Sequence, residues 1–370
     1  MTIDDQLKLL EELLLARGPA GQEGEVRNIC RRELERSCDE VWQDPADNLI
    51  GRIRATRPSR DEAERLSARI IAHQDEIAMV VKRIDSDGRL RVVALGGAFP
   101  VNFGMCPVDI LGESQIVSGA LSFGTMHGTS ESSQSMHVLK GDVQWTDVHV
   151  ITRYSKAELD ELGVRAGTRV VLSRHWRKPF EIRDCIGAHF LDDRAPVVAA
   201  LVSARRLAER RDELRGDVLI VLTTNEEETN SGAQYAARTL PGMTCIALEV
   251  GPIAAEYDTR LALDPIVLTG DEKGVLYQAG VRRAACRRRP LRLLPPAGTD
   301  AGVRLGRQRG PGLGLLPARR LSGDSHRKHA RLRGDHEGRH GSLRQDAGRV
   351  SGFSGIAFQP YAPSFFSADG

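Results

Sequence analysis

The spacing of apolar positions changes along the chain. In TIDDQLKLLEELLLAR, Leu7, Leu10 and Leu14 recur at helical spacing. Thr2, with Asp5 three residues on, predicts a capped helix start. GQEGEVRNICRRELERS predicts a second amphipathic helix. NLIGRIRA and ARIIAHQDEIAMVV read as strands, the second so apolar that it suits a sheet covered on both faces. Between about residues 80 and 180 short strands and turns dominate. KRIDSDGRLRVVALGGAFP carries a D-G turn, and GVRAGTRVVLSR is another glycine-punctuated β-segment.

Helix–strand alternation resumes near residue 185. RAPVVAALVSARRLAERRDEL predicts a helix, GDVLIVLTTNEEE a strand ending in acidic residues, SGAQYAARTL a helix and TCIALEVGP a strand. Such alternation predicts an α/β domain with a mostly parallel sheet, interrupted by a β-rich insert. Ligands of these sheets bind beyond the carboxyl ends of the strands. The expected organisation is a first part of the α/β domain over 1–79, an insert over 80–182 and a second part of the α/β domain over 183–280. An aberrant segment over 281–350 and a tail over 351–370 follow.

Composition changes the picture at one place. The formal net charge is +2. Residues 281 to 349, however, hold 17 Arg, one Lys and five acidic residues, with no Ile and no aromatic residue. The rest therefore carries 34 basic and 45 acidic residues, a net charge of −11. Core-forming segments need the apolar residues that this block lacks. The start of the chain lacks the basic region and apolar core of a signal peptide, and no run is apolar enough to span a membrane. Cys30, Cys38, Cys106, Cys185, Cys245 and Cys286 are scattered, without a CxxC pair, which predicts reduced thiols in a cytoplasm.

Four motifs fall near the predicted strand ends: HQD with His73 and Asp75, LDDR with Asp192 and Asp193, NEEE from Glu226, and LEVGP with Glu249. Each alone is weak, since acidic pairs are common in a chain with 28% charged residues. Together, at strand ends of one α/β domain, they read as a two-metal site. Adjacent carboxylates are costly to bury unless a cation meets them. One carboxylate can bridge two ions about 3.5–4 Å apart, which activate a water and polarise a carbonyl. Imidazole plus carboxylates suits zinc, cobalt or manganese. Asp75, two residues from His73, can orient the imidazole. In NEEE, read as extended, adjacent side chains point to opposite sides, so one glutamate can bind metal while its neighbour serves as general base.

AHQDEIAMVV, AHFLDDRAPVVAA, TTNEEETNSGAQ and ALEVGP resemble, in order, the motifs of the glutamyl and deblocking aminopeptidases, metallopeptidase family forty-two, some members of which carry endoglucanase names. RIDSDGRLRVVALGG resembles the start of that family's inserted domain. The resemblance covers roughly residues 1 to 280. It implies a zinc-exopeptidase-like sandwich with a β-barrel-like insert that mediates oligomers up to dodecamers. It implies a peptide substrate and two divalent metal ions; neither a membrane nor a nucleic-acid partner is expected, since no run is apolar enough to span a bilayer and the Arg-rich block lacks aromatic residues for base stacking. Carried over by position, His73 binds the first metal, oriented by Asp75. Asp192 bridges both metals, with a cis bond after it, a state costing about 3–4 kcal/mol. Glu226 is the general base, Glu227 a ligand of the second metal, and Glu249 the acidic ligand of the first. Glu228 and Thr229 depart from the family's usual Val-Gly, which bears on substrate preference.

The family's fifth ligand, a His after a Pro-Thr segment, has no counterpart here. An RNA-binding arm or plain disorder are two readings of the Arg-rich block; the arm lacks aromatic residues for stacking. Translation of a GC-rich gene in a shifted frame fits better. GDSHRKHARLRGDHEGRH, back-translated and read one nucleotide later, permits a Pro-Thr…His motif. The rival functions are a metal-dependent deacylase or carboxypeptidase-like hydrolase on the same framework, and a chain impaired by loss of that His.

Overall fold

A computed structural model describes residues 1–60, 68–125, 138, 141–183, 185–242, 244–253, 259, 261, 266–268, 292–294 and 314–317. The chain opens with helices α1 (Ile3–Leu15) and α2 (Gly24–Leu34). Thr2 and Asp5 form the expected capping box on α1. The buried stripe is Gln6, Leu9, Leu10, Leu13 and Leu14, whereas Leu7 is exposed. The inward face is thus turned from the one that Leu7, Leu10 and Leu14 predict.

Strands β1 (Glu40–Gln43), β2 (Leu49–Ile53) and β3 (Ala68–His73) come next. Strands β4 (Ala78–Ile84), β5 (Leu90–Leu95), β6 (Cys106–Leu111), β7 (Ile116–Ser122), β8 (His149–Ile151) and β9 (Arg169–Leu172) close into a six-stranded barrel in the order β4-β5-β8-β7-β6-β9. The D-G turn joins β4 to β5, with Gly88 at φ +79°. ARIIAHQDEIAMVV is therefore two strands. The polar residues Gln74, Asp75 and Glu76 mark the joint at which the chain leaves one sheet and enters another.

After the barrel, β10 (Phe180–Ile182) and β11 (Cys185–Ala188) pair antiparallel, and Gly314–Pro317 adds a third strand beside β11. Helix α3 (Leu191–Glu209), β12 (Val218–Thr223), the one-turn helix α4 (Glu226–Thr229), α5 (Ser231–Thr239) and β13 (Thr244–Ala247) follow. Apart from Arg292–Leu294 and Gly314–Pro317, the Arg-rich block and the tail lie outside the described residues.

The main sheet has the order β1-β2-β12-β3-β13. It is mixed, which corrects the expectation of a mostly parallel sheet. β12–β3 and β3–β13 are parallel; β1–β2 and β2–β12 are antiparallel. For the β1–β2 pair the reason lies in its link. Residues 44–48 are too short for the helical crossover that parallel neighbours need.

β12 is buried at every residue. Val218, Ile220 and Leu222 pack in the core with Leu13 and Leu14 of α1 and Val197 and Leu201 of α3. Leu219 and Val221 face the other side, with Ile50, Ile71 and Ala236 of α5. This two-sided burial is why the strand reads as a continuous apolar run. The barrel is seated on the sheet domain by Arg17, whose guanidinium bonds Asp109 of β6 at 2.8 Å and Glu25 of α2 at 2.9 Å. Among the described residues no helix is long and apolar enough to cross a membrane.

Candidate metal centre

His73 ends β3, and the sheet register sets its surroundings. Thr223 of β12 lies opposite His73 on one side. On the other, Ala247 of β13 lies opposite Ile71, and the Leu248 N–H bonds the Ile71 carbonyl at 2.7 Å. Continuing that register brings Glu249 level with His73. Its Oε2 lies 3.8 Å from His73 Nε2.

Asp192 and Asp193 come from the start of α3. Both have non-helical backbone angles, and the peptide bond between them is cis. The regular helix begins after them, so Pro196 falls in its first turn, where a missing N–H is tolerated. Asp192 Oδ1 lies 3.0 Å from His73 Nε2. Asp193 bonds the backbone N–H of His73 at 2.8 Å through Oδ2. Phe190, just before, holds φ +61°, an uncommon state for a bulky residue and one that clusters at functional sites.

Glu226 and Glu227 sit on α4, entered through Asn225 in the left-handed region at φ +52°. The turn is helical, not extended as the sequence suggested. Asp75 explains this: its two carboxylate oxygens accept the N–H groups of Glu226 and Glu227, each at 3.0 Å. Those are the free donors of a helix start. Glu23, also buried, accepts the Asn225 N–H at 3.4 Å. On one turn the two glutamates still diverge. Glu227 is buried, while Glu226 stays in reach of solvent with its Oε2 3.9 Å from His73 Nε2. The end of β5 lies over this turn. The Glu228 carboxylate accepts the Gly96 N–H, and a Cβ on Gly96 would stand 3.4 Å from Glu227 Cβ.

Asp75 meets His73 in a way the sequence did not show. His73 Nδ1 lies 3.2 Å from the Asp75 carbonyl and 3.4 Å from its carboxylate. Arg194 does not neutralise the aspartates beside it. Its guanidinium turns back to Glu76 at 2.7 Å and to the Leu13 and Gln74 carbonyls. Arg177 binds the same Glu76 and stacks over the Phe190 ring at 4.6 Å. Neither Asp193 nor this buried triad was assigned a role from the sequence. The doubled Asp was the only signal available for Asp193; the triad had none.

Burial disfavours a charged His73, but Asp193, Asp192, Asp75 and Glu249 outweigh it and hold its pKa well above the usual value. Asp75 is also buried, yet its bonds and attraction to His73, and the two N–H groups, lower its pKa. Burial, then repulsion from Glu249, pushes Asp193 well up. Burial, then repulsion from Asp192, does the same for Glu227. Glu249 is raised to about 8 by burial and then by Asp192. It keeps 36% side-chain exposure, so water screens part of that repulsion.

Two ligand groups emerge, His73 with Asp192, Asp193 and Glu249, and His73 with Glu226 and Glu227. In each, the offered atoms lie within 4.8 Å of one another. The donor set fits a divalent cation. So does the buried Oδ1 of Asp193, which has no hydrogen-bond partner.

A model of the M42 glutamyl aminopeptidase family matches residues 51–286. The chain belongs to that family. It is a metallo-aminopeptidase, a hydrolase. The lysyl aminopeptidase of Pyrococcus furiosus is 26% identical over 307 residues, covering 80% of this chain and 84% of its own. The glutamyl aminopeptidase of Lactococcus lactis is 33% identical over 102 residues, 27% of this chain and 26% of its own. In fold, a TET aminopeptidase from a marine sediment Thaumarchaeota archaeon matches with a TM-score of 0.68 at 23% identity, over 84% of this chain and 88% of its own. The TET1 peptidase of Pyrococcus horikoshii, described as assembling into a tetrahedron or a large octahedral shell, matches with 0.67 at 21% identity, over 85% and 90%.

Proposed function

We propose that the protein, with its C-terminal frame restored, removes N-terminal residues from peptides at a two-metal site that His73, Asp192, Glu227 and Glu249 would help to hold, with Glu226 as general base. The observation that carries this reading is the convergence on His73 Nε2 of Asp192 at 3.0 Å, Glu249 at 3.8 Å and Glu226 at 3.9 Å. His73 and Glu249 would hold a cation at the first site and Glu227 one at the second, with Asp192 within reach of both. Zinc, cobalt and manganese suit these donors. Bound there, such cations would supply Lewis acidity toward a carbonyl and a lowered pKa for a bound water.

The protein's own groups do the rest. Asp75 holds the imidazole on one side and the α4 turn on the other. Glu226, within reach of solvent, takes the proton from the water and returns it to the leaving amine. Glu227, buried, keeps its carboxylate for the cation.

The assembly is a homo-oligomer, as the TET relatives are named, and the reduced cysteines suit a cytoplasm. Residues 281–350 are a shifted reading frame, a proposal supported by the family match ending at 286. The C-terminal His of the second site would return with the correct frame.

Glu226→Gln, made in a frame-restored protein, keeps the shape and removes the proton acceptor. Metal content by mass spectrometry should persist while turnover of an aminoacyl-anilide falls about 10²–10⁴-fold. Unchanged turnover would remove Glu226 from the role.

A further inference from the structure

We propose that Asp193 is itself a ligand of the first metal site, giving its Oδ1 to the cation shared by His73, Asp192 and Glu249. The proposal rests on the two-metal reading above and adds a residue to it.

One oxygen of Asp193 is already committed, since Oδ2 accepts the His73 backbone N–H at 2.8 Å. The residue has 0% exposure, so water does not reach the other oxygen from bulk. Among the described residues Oδ1 has no hydrogen-bond partner. A buried carboxylate oxygen without a donor or counter-charge is strongly unfavourable. The nearest cation in sequence, Arg194, is turned away and fully engaged with Glu76 and two carbonyls. Asp192 and Glu249 add repulsion that the attraction of His73 does not cancel.

The compensation lies on the remaining side. His73, Asp192, Asp193 and Glu249 each offer one ligand atom, all within 4.8 Å of one another. With Oδ2 occupied, Oδ1 is the oxygen with lone pairs to give. Asp193 then acts twice, as a strut that fixes the backbone of His73 and as a donor to the ion that the His73 ring binds.

Asp193→Asn separates the two roles. The amide oxygen can still accept the His73 N–H, but the amide nitrogen has no lone pair to offer in place of Oδ1. The full-length protein is loaded with one equivalent of cobalt(II), and its affinity is measured by chelator competition alongside its visible absorption spectrum. First-site affinity should fall at least about 10–100-fold, the loss typical when a group supporting a metal is removed, and the cobalt bands should shift. Equal affinity and an unchanged spectrum overturn the ligand role and leave Asp193 as a strut.

Wild-type protein that takes up no cation sinks the two-metal reading with it. Wild type that binds beside a variant that binds equally sinks only the role of Asp193. Should D193N fail to fold, a crystal structure of the wild type with one equivalent of zinc decides. An Oδ1–zinc distance of about 2.0–2.2 Å supports the assignment, and one beyond about 3 Å overturns it.

Discussion

Glu76 and Arg194 meet at 2.7 Å with neither side chain exposed. Arg177 holds the same carboxylate, with one contact at 3.0 Å to Oε2. Two guanidiniums thus share one carboxylate directly behind the ligand loops. Removing one member of a buried charge set leaves uncompensated charge, at about 3–5 kcal/mol. Glu76→Leu should therefore lower unfolding free energy by that amount in urea titration. A change under about 0.5 kcal/mol would mean that water reaches the arginines after all.

Asp75 should matter more than its distance from substrate implies. It accepts the N–H groups of Glu226 and Glu227 and lies 3.4 Å from His73 Nδ1. In Asp75→Asn one acceptor becomes a donor facing an N–H. We expect metal affinity to fall about 10–100-fold in chelator competition. Wild-type affinity in this variant would assign the orienting role to the Asp75 carbonyl alone.

The metal-free protein should lose stability as pH rises. Asp193, Glu227 and Glu249 all have folded pKa values above the unfolded ones, near about 4. The folded state then holds protons that the unfolded chain has released. Their contribution is complete below about pH 4 and drains as pH rises through the folded values, for Glu249 about 8. His73, also raised, acts with the same sign at higher pH. Asp75, lowered, acts oppositely, in acid below its unfolded value. The urea midpoint of chelator-stripped protein should fall between about pH 5 and pH 8, and bound cation should flatten the slope. A midpoint rising across that window contradicts the assignment.

Stoichiometry tests the bridge and the frame together. Asp192→Ala should lose both cations in a frame-restored protein, whereas His73→Ala should weaken mainly one. Among the described residues the chain as it stands offers the proposed second site Asp192 and Glu227, fewer ligands than the three or four usual for zinc. It should hold one cation well, the second poorly, and show little peptidase activity. Two tightly bound cations and active cleavage in the unaltered chain would refute the shifted frame. Sequencing the gene across codons 275 to 350 checks the same point.

What could be read from the sequence was local. The capping box of Thr2 and Asp5, the D-G turn and the apolar run of β12 each act within a few residues. The HQD, LDDR, NEEE and LEVGP motifs stood out because strand ends collect ligands, and the choice of His73, Asp192, Glu226, Glu227 and Glu249 among them came from the family resemblance. What was missed depends on partners far along the chain. The α4 turn is fixed by Asp75, 151 residues before Glu226. Glu76 meets Arg177 and Arg194 across 101 and 118 residues. The second aspartate of LDDR passed as an echo of the first, because only the folded backbone shows that one of its oxygens is spent on His73 and the other is not. The break within ARIIAHQDEIAMVV falls on Gln74, Asp75 and Glu76, polar residues that also carry the HQD motif and so were not read as a joint.

That break gives the barrel a hold on the chemistry. β3 ends at His73 and β4 begins at Ala78, so four residues carry the chain from sheet to barrel. Those four include Asp75 and Glu76, one steering the imidazole and the other clamped by two arginines. There is no slack tether between the two bodies. Any displacement of the barrel is therefore passed to the ligand loop within four residues.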